Sequence, residues 1–570
     1  RDLPKGKHSD LTSISDSESD STDGEEGSKS NALPEAKAGS NSLLGFYSAG
    51  ALLLTILGCL QYCLNPLAIV GDTAMYLQCG QFLKEGLLPY VDFQDLNPPL
   101  IMYLSLLPAM LAPALGPFAA ALSPAVSAQG ILPGFQLALS GALFTGAYCL
   151  LSLALCYGVL RKLNGAGLDT TLLTPPTLLA PVLVNALAGL DYGQREHLYC
   201  LFLLPFVLLR YGRFQCREQG LSQWKAGALE GCVGFLMGLM LCFKPHFLLP
   251  PFLLELYWLA RYRKPALLFC RETLTALLPM VLYGLHFLFL PAAVREIYFH
   301  YMAPLIVRGY AAFNIVRDTV VNLIWRFALG AYFLALPCLL LLPRRLGLRA
   351  PLAILLSACL ANIELQQKFW NYHALPLYLF ECFIFVAVLA VWLAKLPKVK
   401  PRLKALALLL AVLLFQSLNH FFTDSVEAHW LRPWETVLAK TARPGDRALL
   451  LDTSDTPWFK TALKFSLAPG SRYLWLFACP MLEYQIRTAR SETEKTRAQA
   501  QLAELFSNTR ADIVRMKPRF ILVRRREAFG MGDVDFLEYL KNHGLAGELA
   551  ACRVLQDSGD FILLEREASR

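Results

Sequence analysis

The sequence predicts a mainly α-helical, polytopic membrane bundle that carries a C-terminal extracytoplasmic α/β domain. Three observations support this: apolar runs of bilayer length recur from Leu44 to Phe422, basic residues collect in alternate loops between them, and the composition turns to that of a soluble module near Thr423. With 55% hydrophobic and only 17% charged residues over 570 positions, and a mean hydropathy of +0.42, the chain is too apolar for a soluble globular protein.

Residues 1–41, rich in Ser, Asp, Glu and Gly (SDLTSISDSESDSTDGEEGSKS), hold almost no apolar side chains to offset the entropy of folding, and are expected to be a disordered cytoplasmic tail. They contain neither an h-region nor a cleavage site, so the first apolar run is expected to act as an uncleaved signal anchor. Within a membrane domain spanning 42–422, eleven crossings are predicted, at 44–64, 135–160, 172–190, 197–211, 227–244, 246–260, 273–291, 325–343, 350–365, 374–394 and 404–421. The run 98–115 is set apart. Pro98, Pro99, Pro108 and Pro113 break it and no basic flank precedes it, so it is expected to be interfacial or re-entrant within a first exported loop, 65–134.

Under eleven crossings the basic clusters Arg161-Lys162, Arg210 to Lys225, Arg261 to Arg271, Arg344 to Arg349 and Lys395 to Lys404 fall on one side, which is therefore read as cytoplasmic together with the N-terminus. This topogenic charge accounts for the net charge of +9, and no nucleic-acid partner is expected. An odd number of crossings places 423–570 outside the cytoplasm. There the strands RALLLDT and RFILVRR and a polar helical stretch around Ser491–Thr509 predict a soluble α/β domain. Most of the fifteen cysteines lie in or beside spans, as small apolar residues. Cys479 and Cys552, the two in the exported domain, could pair in an oxidising compartment. No zinc-type cysteine spacing occurs, and the absence of an N-x-S/T sequon favours a bacterial inner (plasma) membrane over the endoplasmic reticulum lumen.

Ionisable groups near bilayer depth require a partner, water or a function. On this topology four such clusters share the exported side: Asp72, Asp92 and Asp95 after the first span; Asp191, Arg195, Glu196 and His197 in DYGQREHL; Lys244 and His246 in CFKPHF; and Glu364, Lys368 and His373 in IELQQKFWNYHALP. Carboxylates able to take a proton, beside Arg, Lys and His able to hold an anion, suit an acceptor hydroxyl or amine and a leaving phosphate. Taken singly, each has a plainer reading: Arg195-Glu196 as a loop-anchoring ion pair, Lys244 snorkelling to the interface, His373 capping a helix.

The first loop, an acid directly after span 1 followed by EGLLPYVDFQDLNPPL, resembles the GT-C glycosyltransferases, in the branch of protein O-mannosyltransferases, lipid A aminoarabinose transferases and bacterial RgtA/B/C/D-like proteins. DYGQREHL, the KPH hairpin and QQKFWNYHALP are similar to later loops of bacterial members, in the same order, so the resemblance spans most of residues 44–400. It implies a GT-C-type bundle and a polyprenyl-phosphate-linked sugar as donor, transferred by inverting displacement to an envelope glycan, lipid or protein. It also implies that Asp72 is the general base, that Lys368 and His373, with Lys244 and Arg195, contact the donor phosphate, and that Asp92 and Asp95 shape the loop or the acceptor side, with Asp191, Glu196, His197 and His246 in support. No cofactor is expected beyond the lipid-linked donor, although room for a divalent cation is left open. Where many relatives carry an Asp-Glu pair this chain has Asp72-Thr73, so a second acid is expected in space from Glu196 or Asp191. Two alternatives stand beside this reading: a transporter or flippase of a lipid-linked or anionic solute, and a GT-C-like scaffold without activity.

Overall fold

The computed structural model describes residues 32–122, 132–220, 227–314, 323–429, 432–456, 458–526 and 528–566. The described residues from 43 onward form one compact unit. The acidic tail lies, up to residue 31, outside the described residues, as do 123–131 of the first loop. The first helix opens at Ala32, upstream of the boundary expected at 41, and runs to Leu64.

Each of the eleven predicted apolar runs falls on a helix. Among the described residues, five helical segments are long and apolar enough to cross a bilayer by length and composition: Asn41–Leu64, Leu100–Leu122, Leu132–Gly165, Asn371–Ala394 and Pro401–Phe421. Others are shorter, such as Thr174–Ala188 with 15 residues and Ala228–Leu241 and Leu249–Tyr262 with 14 each. Arg195–Glu218 is long enough, but it carries buried Arg195, Glu196 and Arg210 within a core of helices on all sides.

The Leu100–Leu122 segment was expected to be interfacial, yet it has the length and apolarity of a crossing. Its packing explains both properties. The helix Leu100–Leu111 lies along the helix Gly71–Lys84, its backbone pressed on Gly80. Leu100 starts beside the Tyr283 hydroxyl, and Pro108 ends beside Ser140 near the start of Leu132–Gly165, where Gly134 meets the Leu463 carbonyl of the C-terminal domain. Both ends of Leu100–Leu111 therefore meet the same end of the bundle, and the chain tightens into a 3-10 turn at Ala112–Leu115, where Pro113 removes a donor.

The basic clusters gather at the opposite end. Arg210 holds both oxygens of Glu255 at 2.6 Å and reaches Glu272 at 2.8 Å, Arg213 also binds Glu272, Lys162 pairs with Glu230, and Arg261 with Glu218. Buried guanidinium and carboxylate groups at this depth satisfy one another and tie three helices together.

Beyond the bundle, β1 (Arg447–Leu451), β2 (Ala468–Pro469), β3 (Phe520–Arg524), β4 (Cys552–Asp557) and β5 (Phe561–Arg566) make one sheet in the order β2-β1-β3-β5-β4. β1 is parallel to β2 and β3, with Leu451 opposite Val523, while β5 is antiparallel to β3 and β4. RALLL and FILVR read as continuous apolar runs because helices cover both faces of these inner strands. The polar helix spans Glu492–Met516, longer than 491–509, and Ser491 caps it by accepting from the Glu494 N–H. Cys479 and Cys552 are free thiols: the first lies against Met531 and Tyr539, the second donates to the Glu548 carbonyl. The pairing left open by the sequence is therefore absent.

The C-terminal domain is seated on the first loop. Gln94 N–H donates to the Arg472 carbonyl, Trp475 Nε1 to Asp95 at 3.3 Å, and Gln78 Nε2 to the Phe459 carbonyl at 2.8 Å.

Candidate functional site

Between this domain and the bundle lies a cavity of about 400 Å³ lined by Asp72, Asp191, Arg195 and Asp455, with Asn97 and Gln194 beside them. Asp72 occupies the first turn of Gly71–Lys84, where the positive end of the helix favours a carboxylate. The Val70 N–H bonds the Leu190 carbonyl, which brings this helix start against the loop of Asp191, and Gln194 Nε2 donates to Asp72 Oδ2 at 3.1 Å. Arg195 Nη1 binds Asn97 Oδ1, its guanidinium lies 5.3 Å from the centre of the Tyr76 ring, and its Nε has no protein partner. Opposite the acids stand aromatic rings, among them Tyr310, Trp370, Tyr372 and Trp475.

The expected site residues separate into layers. Asp72, Asp191 and Arg195 line the cavity. Glu196, Lys244 and His373 lie behind them: Lys244 pairs with Glu196, and His373 Nε2 is 3.8 Å from the same carboxylate. The clusters at 72, 191–197, 244 and 373 thus come together, but Lys244 and His373 are not on the cavity wall. A buried ammonium needs a counter-charge, and Glu196 supplies it. Lys368 is likewise turned away. It donates to the Tyr310 carbonyl at 2.8 Å and to Asn314, and stacks over the Tyr310 ring at 4.3 Å, with burial lowering its ammonium to about 8. Its neighbours Gln367 and Phe369 take φ of +53° and +51°, a left-handed backbone that side chains rarely adopt and that tight packing must hold. Of the four expected phosphate contacts, only Arg195 faces the cavity.

The remaining residues are structural. His197 Nδ1 accepts from the Gly193 N–H and its ring packs on Tyr192, which shapes the turn after Asp191. His246 sets its edge against Phe247 beside the Lys244 turn. Asp92 is exposed and accepts from the Leu88 N–H at 2.8 Å. Asp95 is fully buried: it accepts from both nitrogens of Asn97 and from Trp475, and so fixes Asn97 under Arg195.

The second acid is neither Glu196, which is spent on Lys244, nor Asp191 alone. Asp455 of the C-terminal domain lines the same cavity beside Asp72, close enough that a Cβ on Gly71 would stand 3.0 Å from its Oδ2. Burial, then the charge of Asp72, pushes the Asp455 carboxyl well up, and burial followed by Glu196 and Asp72 does the same to Asp191. Both surroundings favour the neutral carboxyl over the carboxylate. Asp455 was missed because an acid in a soluble module is unremarkable by composition. The available signal was its place just past β1, since ligands of α/β sheets gather at the carboxyl ends of parallel strands.

Among the described residues no group of three or more His, Cys, Asp or Glu side chains is arranged to hold a metal ion. No protein-family model, curated protein or solved structure matches the chain.

Proposed function

We propose that the chain is a membrane glycosyltransferase of GT-C type that moves a sugar from a polyprenyl-phosphate donor to an envelope acceptor on the extracytoplasmic face. The observation that carries the reading is one cavity, at the junction of an apolar bundle and a soluble domain, lined by an ionisable base, a guanidinium and aromatic rings. The donor's tail belongs in lipid and its headgroup in water, and such a junction serves both. Aromatic faces and side-chain amides suit a sugar ring, while Arg195 suits the phosphate.

In the proposed step Asp72 takes the proton of the acceptor hydroxyl as its oxygen bonds to the anomeric carbon. The bond from that carbon to the phosphate oxygen breaks, and its electron pair leaves with the polyprenyl phosphate. Arg195, with an unpartnered Nε, offsets the charge that develops there. Lys244, Lys368 and His373 act through the residues they hold rather than by touching phosphate.

The test is sugar transfer from a panel of radiolabelled polyprenyl-phosphate sugars by purified protein in nanodiscs, with membrane extract as acceptor source, beside Asp72→Asn. Release of polyprenyl phosphate by the parent, reduced at least about 100-fold in a variant that folds equally well, supports the reading. Movement of a lipid-linked solute without transfer would assign a transporter, and neither activity with any donor would assign a scaffold.

A further inference from the structure

The cavity draws two neighbouring acids from parts of the chain that are remote in sequence. Asp72 opens the helix Gly71–Lys84, and Asp455 sits in the loop that leaves β1. Their seating is specific. Thr456 Oγ1 donates to Asp455 Oδ1 at 3.2 Å, the Thr456 N–H bonds Ser454 Oγ, and Gln194 holds one oxygen of Asp72. Gly71 makes room for the loop: a Cβ there would stand 3.0 Å from both Asp455 Oδ2 and Thr456 Oγ1. Burial and the neighbouring charge of Asp72 push the Asp455 carboxyl up, which favours the form of Asp455 that holds its proton.

We infer that Asp455 is a positioning residue for the catalytic base: its carboxyl O–H donates to Asp72, orients the oxygen that receives the acceptor's proton, and makes the C-terminal domain part of the active site. This rests on the glycosyltransferase reading. The resting pair carries one negative charge. It gains the acceptor's proton as the new glycosidic bond forms and the phosphate leaves with the electron pair of the broken bond, and it then returns one proton to water. The other charged and titratable groups that act on the pair are Asp95, Asp191, Arg195 and Lys244, with the Tyr76, Tyr310 and Tyr372 hydroxyls.

The experiment compares full-length parent, Asp455→Ala and Asp455→Asn in nanodiscs with whichever polyprenyl-phosphate sugar the parent turns over. Asp455→Ala, which removes the donor, is expected to lose about 100-fold in kcat with donor KM changed by less than about twofold. Asp455→Asn still donates a hydrogen bond, so it should keep most of the rate but lose the alkaline limb that deprotonation of the pair gives the parent's pH profile. A parental kcat in Asp455→Ala, or a parental pH profile in Asp455→Asn, overturns the proposal while leaving the transferase reading intact. If the parent turns over no donor, that reading fails separately, and infrared difference spectra decide the pair. Parent minus Asp455→Asn should contain a protonated-carboxyl band at neutral pH, shifted by Asp72→Asn, and the absence of that band overturns the donation to Asp72.

Discussion

Gly80 is where the helix bearing Asp72 presses hardest on its neighbour, and replacing it by alanine separates positional precision from stability. A Cβ at Gly80 would lie 2.1 Å from the Ser105 carbonyl oxygen and 2.4 Å from its carbon. Ordinary contact begins near 3.4 Å, so the helices Gly71–Lys84 and Leu100–Leu111 must part by 3.4 − 2.1 = 1.3 Å along that line. No rotamer change relieves a clash with backbone. Overpacking costs about 1–3 kcal/mol, and alanine recovers about 1 kcal/mol of helix propensity over glycine, which leaves a net loss of about 0–2 kcal/mol. The rate is more exposed: a shift of about 1 Å in a reacting group can cost about 100-fold, and Asp72 rides on the same short helix. The assay pairs kcat for sugar transfer with the thermal midpoint in nanodiscs, using Gly284→Ala as control, because nothing stands within 4 Å of a Cβ at that position. Gly80→Ala should lose the rate with little loss of midpoint, whereas the control should keep both. Parental kcat in Gly80→Ala would refute the reasoning that this contact fixes the base.

Other perturbations probe separate parts of the molecule. Arg210→Met leaves Glu255 without its bidentate partner and Glu272 with Arg213 alone, and should destabilise the bundle by about 3–5 kcal/mol, read as a lowered thermal midpoint. In the C-terminal domain burial alone would raise the Asp512 carboxyl, but hydrogen bonds and charge from Arg472, with Ser471, hold it below the ordinary value. Its contribution is therefore present at neutral pH and lost as pH falls through that lowered value, below about 4. Protection factors of the helix Glu492–Met516, corrected for the intrinsic pH dependence of exchange, should fall on acidification in the parent, and over a smaller range in Asp512→Asn. Alkylation after unfolding without reductant should modify both Cys479 and Cys552, and a requirement for reductant at either would contradict the free thiols.

The bundle was legible because lipid imposes a simple rule on composition: apolar runs, and prolines that do not always end them. Pro181, Pro205 and Pro279 sit inside helices, and at Pro205 the carbonyl it frees, that of Leu201, accepts from Ser152 Oγ of a neighbouring helix. Helix lengths and the course of 98–115 were not legible, because they depend on which neighbour each face meets. Charges stood out against an apolar background, which is how Asp72, Arg195, Glu196 and Lys244 were found and why they do meet. Which of them would face the cavity could not be read from sequence, since Lys244 and Lys368 are each claimed by a partner close in space but distant along the chain. Asp455 and the rings of Trp475 and Tyr310 carried no such contrast: acids are ordinary in a soluble module, and aromatic residues near a membrane read as an interfacial belt.

The bond from Trp475 to Asp95 joins residues 380 positions apart. At the usual pace of synthesis, about 5–20 residues per second, the first loop waits about 20–80 s for the segment that will lie upon it. Through that interval Asp72 stands without Asp455 beside it, and the cavity the two line is unfinished. A ribosome that stalls before β1 would leave behind a membrane-embedded fragment with the hydrophobic parts of the protein and none of its completed chemistry. Under the proposed function, assembly in this order would keep a lipid-linked donor away from a half-made catalyst.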